Sequence, residues 1–217
     1  MKKKALTIKI SPETGNVSAT YFLPEDCICM IVLAHGAGAD MHHSFMETLA
    51  AALAEKKIGT LRFNFPFMEN KKGRPDKPEV AHATIAAAIG KACTLFPALP
   101  LFIAGKSFGG RMGSQYLALH KAPNVKGIIF YGFPLHPAGK PSTERATHLK
   151  DVQQPMLFLQ GTKDTLATLH LIEEVCNDLK NATLIKLEGA DHSFKAGKQD
   201  TMTMLVKETA EWLYKHL

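Results

Sequence analysis

At 217 residues, 46% of them hydrophobic and 21% charged, the chain has the length and balance for one two-sided globular core, and a second domain of ordinary size does not fit comfortably. No uninterrupted apolar run approaches the length of a membrane helix, which excludes a membrane-spanning role. A formal charge of +6 raises nucleic acid as a partner, but the basic residues cluster only at Lys2 to Lys4 and at Lys71, Lys72 and Arg74, without interleaved aromatics, so a solvated basic surface is the better reading.

The N-terminus begins like an export signal, but Lys9 interrupts its apolar part and Pro12 follows at once, so none is expected. Residues 7–10 and 17–23 read as two strands of a hairpin, joined by turn formers at 11–16. Residues 27–34 form a continuous apolar run, as in a parallel strand covered on both faces, and Cys27 and Cys29 would share one of those faces. The four cysteines lack metal-type or redox spacing and fit reduced, buried thiols in a cytoplasmic protein. The run ends in His35-Gly36-Ala37-Gly38, which reads either as a plain glycine-rich turn or as a loop presenting the Ala37 N–H; His35 itself reads as structural.

Residues 45–57 have helical apolar spacing with Ser44 as the candidate cap, and 59–63 is the next strand. The aromatic loop Asn64-Phe65-Pro66-Phe67-Met68 offers either substrate-lining or packing residues, and 71–78 is exposed loop. An alanine-rich helix over 80–96 stops at Pro97 to Pro100, before the short strand 101–104. Then comes Gly105-Lys106-Ser107-Phe108-Gly109. Strand, Gly-x-Ser-x-Gly and helix in that order is the pattern of a sharp turn that lifts a serine hydroxyl clear of a sheet and frees the next N–H at a helix start. Ser107 is therefore the candidate nucleophile, and the Phe108 and Ala37 N–H groups are the candidate oxyanion donors. Gly105-Lys106-Ser107 also ends a Walker A motif, but that motif needs glycine where Pro100 stands and a loop where 101–104 reads as strand.

A helix over 111–120 and a strand over 125–131 lead into a proline- and glycine-bearing segment, 132–141, then 143–149. It leaves the ligand-binding edge of a parallel sheet and is expected to cover the site as a small lid. His136, Lys140, Arg145 and His148 are candidate substrate contacts there, with loop bracing the plainer reading of each. A strand over 155–160, a helix over 166–179, a strand over 183–187 and a closing helix over 200–216 complete an alternation that predicts a mostly parallel sheet with helices on both faces. Asp164 and His192 follow the last two strands, on the same edge as Ser107. Asp191 is a nearby rival for the acid, and Asp151 a poorer one because it precedes its strand. The order Ser, Asp, His is that of α/β-hydrolases.

His35 to Met46, Arg62-Phe63-Asn64-Phe65-Pro66, Gly105 to Met112, His136 to Pro141 and Asp191-His192 together resemble the small bacterial α/β-hydrolases related to dienelactone hydrolases, a group with eukaryotic KANSL-like and testis-expressed relatives. Lysine before the serine and arginine after the second glycine make this resemblance more specific than Gly-x-Ser-x-Gly alone. It implies the α/β-hydrolase fold over residues 1–217 as a single domain without a large cap. It also implies a Ser107, Asp164 and His192 triad needing no metal or organic cofactor. Dienelactone hydrolases proper carry cysteine at the apex, so dienelactone is not carried over as substrate. The expected activity is hydrolysis of a small-molecule ester or thioester by a monomer or homodimer. The rival reading is an inactive binding scaffold on the same fold. Lys106 and Arg111 beside the serine, with Lys140 and Arg145 on the lid, raise an anionic substrate group, against the blander reading of cations that face water.

Overall fold

The computed structural model describes residues 2–217. Its opening hairpin is longer than expected: β1 (Lys2–Ser11) and β2 (Gly15–Leu23) pair antiparallel from Lys2 opposite Leu23 to Ser11 opposite Gly15. The lysine run becomes strand because β2 satisfies its backbone while its side chains stay in water. Lysines on such an edge discourage pairing with another chain.

The other strands are β3 (Cys29–Ala34), β4 (Ile58–Phe63), β5 (Leu101–Lys106), β6 (Val125–Tyr131), β7 (Met156–Gly161) and β8 (Ala182–Leu187). All eight form one sheet in the order β1-β2-β4-β3-β5-β6-β7-β8, antiparallel through β2 and β4 and parallel from β4 to β8. Alternate residues of β3 part the interior in two. Met30, Val32 and Ala34 pack with α3 (Pro78–Leu95), α4 (Phe108–Leu119) and α5 (Leu169–Asn177), while Cys29, Ile31 and Leu33 pack with α1 (Ser44–Glu55) and α6 (Thr201–Tyr214). The α/β-hydrolase fold with no large cap domain stands as expected. Among the described residues no helix is long and apolar enough to cross a membrane.

β4 lies on one side of β3 and β5 on the other, so the chain reverses its direction of winding between β3 and β5. The crevice beyond the carboxyl ends of two such strands is where open α/β sheets bind ligands. The loops 35–38 and 106–108 meet there.

Several local expectations need correction. β3 begins at Cys29, not Cys27; Ile28 already donates to Lys57 O, and Cys27 Sγ turns to donate to Cys29 O at 3.1 Å, so the two thiols do not share a strand face. All four cysteines are free, with Cys29 and Cys176 buried and Cys27 and Cys93 only half-buried. The cap of α1 is His43, whose ring accepts from the Phe45 N–H, rather than Ser44. The aromatic loop contains a one-turn helix, α2 (Pro66–Glu69), begun by proline at its first position. Phe65 and Phe67 are buried against Phe108, with Phe65 also on Phe63, so they are packing residues. α5 starts at Leu169 because the Leu166 and Thr168 amides are taken by Asp164 and His136. The second part of the expected lid instead folds as a 3₁₀ helix (Glu144–Asp151) lying along α4, with His148 Nε2 2.7 Å from Ser114 Oγ.

Candidate active site

β5 runs into α4 with a single residue between them. That residue, Ser107, has φ 50° and ψ −113°, a conformation a side chain rarely adopts. Two glycines make the turn possible. A Cβ on Gly105 would lie 2.1 Å from Gly110 N, and one on Gly109 would lie 2.6 Å from His35 O, so neither position admits a side chain without moving backbone.

The Ser107 hydroxyl faces His192 Nε2 at 2.9 Å, and His192 Nδ1 lies 2.7 Å from Asp164 Oδ2. Because the carboxylate accepts, the ring proton sits on Nδ1 and the bare Nε2 points at the serine. Asp164 is buried at 4% exposure and accepts two further bonds, from Gln160 Nε2 at 2.6 Å and from the Leu166 N–H at 2.8 Å. Gln160, buried one residue before the end of β7, also accepts from the Phe133 N–H, so it ties the acid to the loop after β6. Nothing in sequence spacing marked it. Asp191 is otherwise engaged: its Oδ1 caps its own loop by accepting from the Ser193 and Lys195 amides. Asp151 stands exposed at the end of the 3₁₀ helix.

On the other side of Ser107 lies the loop 35–39. His35 is fully buried; its Nδ1 donates to Gly36 O at 2.7 Å and its Nε2 accepts from the Phe65 N–H at 3.0 Å. Burial pushes its pKa down to about 4, so the ring is neutral and serves structure. Arg62 and Asn64 hold the far end of this loop, donating to Met41 O at 2.7 Å and accepting from the Met41 N–H at 2.9 Å. Among the described residues, the Ala37 and Phe108 N–H groups donate to no protein acceptor.

A cavity of about 340 Å³ opens over this arrangement, lined chiefly by Ala37, Ala39, Phe45, Met46 and Leu166 around Ser107 and His192. A larger hollow of about 580 Å³ at Lys150 to Gln153 and Asp178 to Asn181 contains no serine or histidine. Of the expected substrate contacts, only Lys106 borders the cavity, and its ammonium donates to His192 O at 2.6 Å. His136 is buried and braces the loop after Asp164, bonding Pro137 O and Thr168. Arg111 lies half-buried beside Arg145, Lys140 is exposed, and His148 contacts Ser114. The structure thus brings Ser107, Asp164, His192, Ala37, Phe108 and Lys106 together and leaves Arg111, His136, Lys140, Arg145 and His148 out. His136, Lys140, Arg145 and His148 follow the 3₁₀ helix and the loop before it, which turn away from the cavity, and Arg111 lies half-buried in the first turn of α4. No cluster of three or more potential metal ligands occurs among the described residues.

Comparison with known proteins agrees with this fold. The family model described as alpha/beta hydrolase domain matches residues 28–214. The chain is similar in structure to a dienelactone hydrolase from Anabaena variabilis, with a TM-score of 0.83 at 17% identity over 100% of this chain and 98% of that one. It is also similar to an alpha-beta serine hydrolase homologue from Coxiella burnetii (TM-score 0.79, 22% identity, 98% of each chain). A third similar structure is a serine hydrolase without lid from Xanthomonas campestris (TM-score 0.75, 23% identity, 98% of this chain and 95% of that one).

Proposed function

Because the chain belongs to the alpha/beta hydrolase domain family, we propose that it is a serine hydrolase cleaving a small ester or thioester through an acyl-enzyme. The observation that carries this reading is the unbroken relay Asp164, His192, Ser107, which ends at a cavity beside two unengaged amides.

In the proposed reaction His192 Nε2 takes the Ser107 proton as Oγ attacks the carbonyl carbon. Asp164 holds the ring in the competent tautomer and stabilises the imidazolium. The oxyanion lies between the Phe108 and Ala37 N–H groups, each such donor being worth about a hundredfold or more in rate. Collapse of the tetrahedral species expels the alcohol or thiol, which takes the proton from His192. Water then repeats the sequence on the acyl-enzyme and frees the acid. No step calls for a metal or organic cofactor.

The cavity favours a compact, uncharged group at the carbonyl, since its lining is apolar and its one bordering ammonium is already bonded. This favours the blander of the two readings of the flanking cations over an anionic substrate group. The proposal takes residues 1–217 as one catalytic domain acting in the cytoplasm as a monomer or homodimer, without nucleic-acid or membrane partners. The kinship with KANSL-like and testis-expressed relatives belongs to the same proposal and rests on Lys106 and Arg111 around the elbow.

Labelling of the purified protein by a fluorophosphonate probe tests it. The expected result is a labelled wild type and no labelling of Ser107→Ala or His192→Ala. A folded wild type that stays unlabelled sinks the reading and favours a binding scaffold on this fold.

A further inference from the structure

Lys106 precedes the candidate nucleophile by one residue, yet its side chain does not point toward solvent, where a lysine at a strand end normally goes. It runs under the loop that carries His192. Its Nζ donates to the His192 carbonyl at 2.6 Å and sits 5.1 Å from the centre of the Phe194 ring, a cation–π distance. Room for this path exists because Gly132 has no side chain. A Cβ there would lie 3.3 Å from Lys106 Nζ and 3.5 Å from His192 Nδ1 and Cε1. One ammonium thus grips the triad histidine's backbone on one side and that loop's aromatic residue on the other, from the strand that ends in the nucleophile.

We propose that Lys106 is a positioning residue that locks the His192 loop to the Ser107 strand through the His192 carbonyl and the Phe194 ring, and so sets the Ser107 to His192 distance; this rests on the serine-hydrolase reading. The need for such a tie follows from the chain's connectivity. His192 sits on an irregular segment after the edge strand β8, separated from β5 by two intervening strands. The Asp191 carboxylate and the buried Phe194 hold the neighbours of His192, but among the described residues the His192 backbone itself receives one bond, the one from Lys106. A displacement of 1 Å at such a contact costs about a hundredfold in rate.

The charge on the lysine matters, because a charged donor makes the shorter and stronger bond. Burial pulls its pKa down to about 8, while the carboxylates of Asp164 and Asp191 favour the charged form. Among the described residues those two and the His192 ring face it from the loops after β7 and β8, while Gly132 after β6 and Gly36 after β3 approach it with no ionisable group. The tie is therefore strongest below pH 8 and slackens above it.

The test compares fluorophosphonate labelling rates and ester kinetics of wild type, Lys106→Met and Lys106→Arg. Expected are a 10- to 100-fold fall in labelling rate and in kcat for Lys106→Met with KM within twofold, and partial recovery in Lys106→Arg. The wild-type labelling rate falls as pH rises through 8, and Lys106→Met loses that dependence. Wild-type rates in Lys106→Met overturn the proposal while leaving the hydrolase intact. A raised KM with unchanged kcat also overturns it, since the lysine would then bind substrate. Should Lys106→Met not fold, the wild-type profile decides alone, and a flat rate from pH 7 to 10 overturns the tie. An unlabelled, folded wild type overturns the hydrolase reading and this proposal with it.

Discussion

Helix α4 takes part in two serine–histidine contacts. At its start, Ser107 Oγ meets His192 Nε2 at 2.9 Å; two turns on, Ser114 Oγ meets His148 Nε2 at 2.7 Å. By distance alone the second is the better pair. Yet Ser114 is fully buried in regular helix and its hydroxyl is also within 3.0 Å of Arg111 O. Burial, with Arg111 and His82 nearby, pushes the His148 pKa down to about 4. Among the described residues no carboxylate takes its other ring nitrogen, and His148 does not line the cavity over Ser107. What suits the first pair to the proposed chemistry is everything around it: a strained apex, a buried acid behind the ring, and unengaged amides at a cavity. The second pair fastens the 3₁₀ helix to α4.

The sharpest way to break this contrast is to remove the acid. Asp164→Asn, which keeps shape but loses the preferred tautomer, is expected to lower kcat about 10⁴-fold, and Asp191→Asn only a few-fold, in ester turnover by purified protein. Comparable losses in both would mean that the wrong carboxylate has been assigned.

Acid stability comes next, because structural and chemical histidines should separate there. His35 has a pKa near 4 in the fold against an ordinary 6.5, so below pH 6.5 the unfolded chain takes up a proton that the native state refuses. Stability therefore falls as pH drops from 6.5 to about 4 and then levels, by about 3 kcal/mol for this fully buried ring. Urea unfolding at pH 7 and 4.5 should register the loss, and His35→Asn should remove its share while leaving that of His148, whose ring is also held down to about 4.

Ser114→Ala is expected to lower stability by about 1 kcal/mol while leaving kcat within about twofold. A large activity loss without destabilisation would give the second pair a role beyond fastening. The smallest effect is expected from Lys140→Gln and Arg145→Gln, which should leave the ratio of rates on matched neutral and carboxylated esters within about twofold, as befits charges lying off the cavity and screened by salt.

Much of this was legible in the chain. Uninterrupted apolar runs fixed the parallel strands, and glycines flanking Ser107 announced a turn that only glycine permits. Asp164 could be preferred over Asp191 because a strand ending in Gly-x-x-Asp delivers its carboxylate to the sheet edge. What escaped depended on distant packing. Gln160 looked like an ordinary strand terminus until Phe133 and Asp164 flanked it. Lys106 read as a substrate cation because sequence carries no sign of the space left by Gly132. The lid was read from proline and glycine content, which marks irregular chain but not the surface it folds against. The lysines of β1 were left out of the hairpin because charge argues against strand, whereas an edge strand tolerates it.

The strain at Ser107 resides in the backbone, held there by the close approach of Gly105 to Gly110 and of Gly109 to His35. Nothing in that geometry depends on oxygen. The apex is thus a socket, made by its neighbours and indifferent to which small nucleophile fills it. Exchange of hydroxyl for thiol there is a one-atom change that inherits the relay, the amides and the cavity already in place, so a new reactivity lies a single substitution away.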